Sequence, residues 1–264
     1  MRAESPSSHS LVITSVALRV RELAPAAAFY TRKLGMVVVQ QSAHAAQLAT
    51  ETGAAPILTL TAAPEAKAAP AAAGLFHTAL LLPSRAALAA WLRHVAAERV
   101  SLEGMGDHGV SEAVYLSDPE GNGWEFYADR PRERWPFREG EVAMYTRAVN
   151  VPDLLAEPEP PSGPALLAGA RWGHLHLRVT DLERAEVFYE RELGLTVTQR
   201  SFPGARFLAA DGYHHHLGLN VWGEPRGAQP DGALGLEAAT VRRRGAAAAT
   251  LRDPDGIHWR VQPL

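Results

Sequence analysis

None of the 264 residues is cysteine. Disulfides are thereby excluded, and any metal the chain holds must be bound through nitrogen and oxygen. Long apolar runs are missing too: nothing approaches the roughly 20 residues a membrane-spanning helix needs. The opening MRAESPSSHS has no apolar segment ahead of a small-residue cleavage site, so 1–10 reads as a frayed, disordered N-terminus and the cytoplasm is the expected location. Charge of one sign is equally absent. Lys and Arg number 26 against 29 Asp and Glu, and the one short basic run, Arg242, Arg243 and Arg244, reads as a solvated loop. Neither nucleic acid nor a membrane is expected as a partner. The alanine-rich stretches AAPEAKAAPAAAG and GAAAAT read as connectors.

What the chain does contain is repetition. LRVRELAPAAAFYTRKLGMVVVQQ from Leu18 and LRVTDLERAEVFYERELGLTVTQR from Leu177 align without a gap at a constant offset of 159 residues. A weaker pair follows: GLFHTALLL from Gly74 runs to SDPEGNGWEFY, and GLEAATV from Gly235 runs to RDPDGIHWRVQ. Each pair is asymmetric in its polar residues. His174 falls on Ser15, whereas His77 and Glu125 fall where the later copy has Ala238 and Arg260. The survivors are two imidazoles and one carboxylate, the donor set that holds non-haem Fe(II) with positions left open.

A chain of this length buries roughly three quarters of its unfolded surface and can form one large or two medium domains. The repeat favours two: 11–129 holds units one and two, 172–264 holds unit three and a shortened unit four, and 130–171 is a proline-punctuated crossover linker. Each unit reads βαβββ. Residues 11–20 alternate like a half-buried strand, and 25–34 form a short helix with Pro25 at its first position and Gly35 after its end. In the later copy Thr180 and Glu183 have capping-box spacing, Ala185, Phe188, Tyr189 and Leu193 recur at helical intervals, and Gly194 closes the helix. Unit two reads as a strand over 75–82, a helix opening at Ser84 with Leu88, Trp91, Leu92 and Val95 on one face, and strands to Ala128. In unit four only RRRGAAAAT separates two strands, so its helix is lost.

These motifs resemble the vicinal oxygen chelate superfamily of glyoxalases, antibiotic-resistance proteins and extradiol dioxygenases. FYxxxLG marks only the superfamily; DHGVSEAVYLSDPEGNGWEFYADRP, GHLHLRVTDL and GYHHHLGLN look most like the catechol 2,3-dioxygenases. The resemblance covers nearly the whole chain and implies an α+β fold, tandem βαβββ modules forming two cupped mixed sheets, with the fourth module truncated. Position by position it implies metal ligands at His77, Glu125 and His174. It implies an acid–base histidine at His215, with His108 and Tyr115 beside it. The interval from His108 to Tyr115 is two residues shorter than in many relatives, which puts the reach of His108 in question. Many two-domain relatives bind metal with units three and four. Here unit two supplies two ligands and unit three one, so the site is expected between those two, with units one and four as scaffold.

Some choices rest on local pattern. His174 and His176 share a strand face, and register with Ser15 favours His174. Among His214, His215 and His216, alternation sends His215 to the face opposite its neighbours. The expected activity is Fe(II)-dependent extradiol (meta) ring cleavage of a small aromatic diol by dioxygen; Mn(II) can use the same ligands. Two rivals remain. One is a glyoxalase-like lyase or isomerase whose metal acts as a Lewis acid; the resemblance implies a fourth ligand there, a carboxylate, and Asn220 at the matching position weakens this rival. The other is a non-catalytic protein sheltering an aromatic drug, which has no need of three ligands. Homo-oligomerisation stays open.

Overall fold

The structure, a computed structural model, describes residues 10–158 and 165–264. The expected frayed N-terminus lies outside the described residues, apart from Ser10, whose backbone N–H and hydroxyl both donate to Asp211. Unit one comprises β1 (Leu11–Val20), α1 (Leu23–Ala28), β2 (Val37–Gln41), β3 (Ala45–Ala49) and β4 (Leu58–Ala62). Unit two comprises β5 (Gly74–Leu81), α2 (Arg85–Ala97), β6 (Gly104–Asp107), β7 (Ser111–Ser117) and β8 (Gly123–Asp129). After it come β9 (Phe137–Arg138), β10 (Glu141–Val142) and α3 (Val151–Leu155). Unit three comprises β11 (Arg171–Arg178), α4 (Leu182–Leu193), β12 (Thr196–Gln199), β13 (Ala205–Ala209) and β14 (Leu217–Asn220). Unit four has only β15 (Gly235–Arg243), β16 (Ala249–Arg252) and β17 (His258–Pro263), without a helix.

The sheets join distant units. One runs β16-β17-β15-β1-β4-β3-β2 and combines units four and one; the other runs β12-β13-β14-β11-β5-β8-β7-β6 and combines units three and two. Both are mixed, because β1–β4, β15–β17, β11–β14 and β5–β8 pair in parallel and the other neighbours antiparallel. In the second sheet the pleat sorts side chains cleanly. Leu175, Leu177, Trp124 and Phe126 enter the main core, while His174, His176, Glu125 and Tyr127 take the opposite face. Trp91 of α2 stacks on Phe126 with ring centroids 3.8 Å apart.

Side-chain bonds tie the sheets into a ring. The tyrosine of each FY motif is fully buried and donates to the aspartate of the neighbouring unit's DP motif: Tyr30 to Asp118 and Tyr189 to Asp253, each at 2.5 Å. Trp124 and Trp259 donate their indole N–H to those hydroxyls, both at 3.2 Å. Units one and two, and units three and four, are thus clamped across the sheets.

Several local expectations change. α1 begins two residues before Pro25 and continues as a π-helix over Phe29–Lys33. There Thr31 donates its hydroxyl to the Ala27 carbonyl, competing with the helical ladder. Thr180 does not cap α4; Asp181 does, accepting from Arg184 N–H, while Thr180 donates to Asp255. Ser84 caps α2 and Gly194, at φ 67°, ends α4, both as expected. Arg242 and Arg243 are not a loop but the end of β15. Residues 130–158 are more than a linker. Arg85, at the start of α2, binds Asp153 and Glu157 at 2.7 and 2.8 Å, and Gln199 of β12 bonds both backbone groups of Met144. No helix among the described residues is long and apolar enough to cross a membrane.

Candidate metal centre

Three adjacent strands carry His174 (β11), His77 (β5) and Glu125 (β8). Ala79 of β5 is paired with both His174 and Glu125, so the two longer side chains lean toward each other over a single methyl group. His174 Nε2 lies 3.1 Å, and His77 Nε2 3.0 Å, from Glu125 Oε2. Ligand atoms of all three residues fall within 4.8 Å of one another, and all three residues are buried. His77 Nε2 is close to the carboxylate yet lacks the alignment of a hydrogen bond. That is the geometry of two donors facing a common point. Two imidazoles and a carboxylate suit a first-row divalent ion, so these residues fit a metal.

The electrostatics agree with a cation site. Burial by itself would raise the Glu125 carboxyl, but His174, by charge and hydrogen bond, and the nearby His77 outweigh it and hold the group well below the usual carboxylate range. Burial also lowers His174, against the pull of Glu125, and so favours the neutral imidazole that a metal requires. His176 makes no contact with the Glu125 carboxylate, although its ring lies edge-on to that of His77 with centroids 4.9 Å apart. Its ring packs on Gly218, where a Cβ would come within 2.8 Å, and its Nε2 is buried without a partner. The carboxylate is met by His174.

The trio forms the floor of a cavity of about 500 Å³. His108, Tyr115 and His215 line it, with Phe76, Phe207 and Trp222 supplying aromatic walls. The shortened interval does not separate His108 from Tyr115, since Nε2 is 2.7 Å from the phenol oxygen. A carbonyl can only accept, so His108 Nδ1 carries its hydrogen toward Tyr145 O, 2.8 Å away, and Nε2 accepts from Tyr115. Burial, reinforced by the charge of Glu125, pushes the Tyr115 phenol well above its ordinary value and keeps it protonated.

His215 does reach the cavity, but not by strand alternation, because 213–216 is irregular chain ahead of β14. Its Nδ1 is 2.7 Å from His214 Nδ1, and His214 Nε2 is 2.8 Å from Asp129 Oδ1. A carboxylate only accepts, so with one proton on His214 its Nδ1 is bare and accepts from His215 Nδ1–H. His215 is then left with a bare Nε2. Burial, and next the repulsion between a protonated His215 and any charge on the adjacent imidazoles of His174 and His214, lower its pKa well below the usual imidazole value. Tyr213 donates to the other oxygen of Asp129 at 2.9 Å.

Asp129, Tyr145 and Met144 are absent from the reading of the sequence, and His214 entered it only as an alternative to His215. Asp129 had a signal: Glu125, Tyr127 and Asp129 alternate onto one face of β8. Met144, which lines the cup, and Tyr145, whose carbonyl bonds His108, had none, because both lie outside the repeat. Asn220 supplies no fourth ligand, since its Oδ1 accepts from Trp222 N–H and it does not line the cavity. Ser15 and Ala238 pair with Thr240 and Ala17 in the other sheet, Arg260 is exposed, and no second ligand cluster occurs among the described residues.

A sequence profile of the Glyoxalase/Bleomycin resistance protein/Dioxygenase superfamily matches residues 12–126 and 171–256. The chain belongs to this superfamily. Among its relatives is a protein of Bacillus subtilis (strain 168) called catechol-2,3-dioxygenase, 40% identical over 230 residues that span 85% of this chain and 80% of the relative. Two superfamily folds superpose over nearly the full length. A putative dioxygenase from Bacillus subtilis subsp. subtilis str. 168 has a TM-score of 0.65 at 14% identity, covering 96% of this chain and 85% of that one. Glyoxalase I from Zea mays has a TM-score of 0.56 at 16% identity, covering 97% and 94%. At such identities these two likenesses show the fold alone.

Proposed function

We propose that the chain is an extradiol dioxygenase, opening the ring of a catechol-type diol beside its hydroxyls with dioxygen, and that the metal is Fe(II), with Mn(II) able to use the same ligands. The observation that carries this reading is the convergence of His77, Glu125 and His174 beneath a cup lined by His108, Tyr115 and His215. The 40% identical relative bears the name of this activity. His77, Glu125 and His174 would hold the metal, which would supply open coordination positions and activate a diol and dioxygen toward each other.

The chain's own residues do the rest. Phe76, Phe207 and Trp222 flank the aromatic ring and exclude water. His215 presents a bare Nε2 to accept a hydroxyl proton and return it later, its tautomer set through His214 by Asp129. Tyr115, held protonated with its hydrogen directed at His108 Nε2, presents its oxygen as an acceptor on the opposite wall. Both atoms of dioxygen enter the product, so no external reductant is called for. The glyoxalase-like reading lacks its fourth ligand at Asn220, and a drug-sheltering protein has no use for a buried ligand trio.

The test is aerobic assay of freshly iron-loaded protein with catechol and its alkyl derivatives. A yellow ring-opened product with matching oxygen uptake is expected, and zinc-loaded protein should be inert. Iron-replete protein that consumes no oxygen with any diol would refute the proposal.

A further inference from the structure

Arg178 on β11 and Arg19 on β1 occupy the same place in the two copies of the first repeat. Each faces the first glycine of its antiparallel neighbour: Arg19 pairs with Gly235 of β15, Arg178 with Gly74 of β5. Two residues beyond those glycines the copies diverge, with Glu237 in one and Phe76 in the other. Arg19 has its acid, Nη2 lying 3.8 Å from Glu237 Oε1. Arg178 has none. Its Nη1 donates to the Pro70 carbonyl at 3.0 Å, and its Nε is buried without an acceptor. Glu120, which shares a smaller adjoining cavity with Arg178, is taken by the side chain and backbone N–H of Arg21, at 2.9 and 2.8 Å. Burial of Arg178 with no compensating anion lowers its pKa.

The unpaired guanidinium belongs to the catalytic cup. His174, His176 and Arg178 alternate onto one face of β11, and Arg178 lines the cavity with Phe76 and Trp222. Two strand steps from His174 to Arg178 span about 13 Å, so the cation stands well away from the metal floor. A half-buried arginine without a counter-ion is costly to keep, and its planar fork matches a carboxylate. Phe76 performs two tasks at once. It withholds the internal acid that Glu237 provides in the other sheet, and it places an aromatic face 5.5 Å from the Trp222 ring.

We propose that Arg178 binds a carboxylate carried on the side chain of the diol, so that the preferred substrates are catechols with an anionic side chain rather than bare or alkyl catechols. This inference rests on the dioxygenase reading above. The experiment compares dihydroxyphenylacetate and dihydroxyphenylpropionate, both vicinal diols, with their neutral amides. For at least one acid, kcat/KM should exceed that of its own amide by roughly 10- to 100-fold, mostly through KM, as expected for a hydrogen bond between charged groups. Arg178→Gln should collapse that ratio toward unity and Arg178→Lys should retain part of it. Phe76→Glu, which copies Glu237, should collapse it too. Calorimetric binding of the same acid and amide pairs to zinc-loaded protein is measured in parallel, so the result does not depend on turnover. Equal treatment of acid and amide by the unmodified protein, or a ratio untouched by Arg178→Gln, overturns the proposal while leaving ring cleavage standing. Selective binding of the acids without turnover of any diol would uphold the arginine's role and refute the dioxygenase reading instead.

Discussion

In the sheet of units two and three, the pairing of β11 with β5 brings His174 and His77 to Glu125. In the sheet of units one and four, the matching pair β1 and β15 carries Ser15 and Ala238, and β17 carries Arg260. The strand order and the sense of pairing at the centre of the two sheets are the same. What differs is a handful of side chains on one face. Loss of the ligand residues has not cost the outer sheet its ladder, because the backbone bonds and the opposite, apolar face hold it. By contrast, the tyrosine–aspartate clamps persist in both halves at the same length. The chemistry is a local addition to a scaffold, whereas the clamps are part of what makes the scaffold one body.

The comparison breaks most sharply at the ligands. His174→Ala should abolish both metal retention and turnover, whereas Ser15→Ala, its counterpart, should leave both unchanged; metal analysis beside oxygen uptake decides. One tightly held ion per chain is expected, and two would end the division of labour between the sheets. Next in size is His215→Phe, which should keep near-normal iron while ring opening falls roughly 10² to 10⁴-fold, the usual effect of losing a positioned proton-transfer group. Iron loss in that variant would show that a ligand had been mistaken for a proton carrier.

The clamps sharpen the comparison from the other side, since they should not distinguish the two halves. Tyr30→Phe and Tyr189→Phe should each cost about 1–3 kcal/mol, by stripping a donor from a buried aspartate, with no loss of metal. Unequal penalties in chemical denaturation would mean that the clamps are not equivalent. The smallest effect is on pH dependence. Burial first, then the charge of Asp118 or Asp253, raises both phenols well above their ordinary value. A pKa raised on folding gives stability that is complete below the unfolded value, about 10, and is lost as pH rises beyond it. Melting temperature should therefore hold steady up to about pH 10 and then fall, less steeply in each Phe variant; an equal slope in all three would refute the assignment.

The fold was legible where the chain repeats itself. The ungapped duplication exposes the units, the missing fourth helix and the three odd polar residues, and period-two alternation suffices to aim Glu125 between Trp124 and Phe126. The rest was set by tertiary contacts that no local pattern encodes. Asp181 wins the cap from Thr180 because Asp255, far along the chain, claims the threonine hydroxyl. β9 and β10 are two residues each, too short for any periodicity to register. Met144 joins the cup because Gln199 bonds its backbone, and Tyr145 supports it from behind through the carbonyl that His108 bonds. Asp129 acquires meaning only once His214 is folded beside it.

The sheet order also constrains how the protein can be made. β1 leaves the ribosome long before its antiparallel neighbour β15, which ends at Arg243. β5 must likewise wait for β11. The catalytic sheet has all its strands once Asn220 is exposed, before the outer sheet can close. During that interval β1 offers one unpaired edge, a template for stray pairing. Stalled or C-terminally truncated chains should therefore carry an assembled ligand trio on an open-edged, aggregation-prone remainder, and chaperone demand should peak late in synthesis.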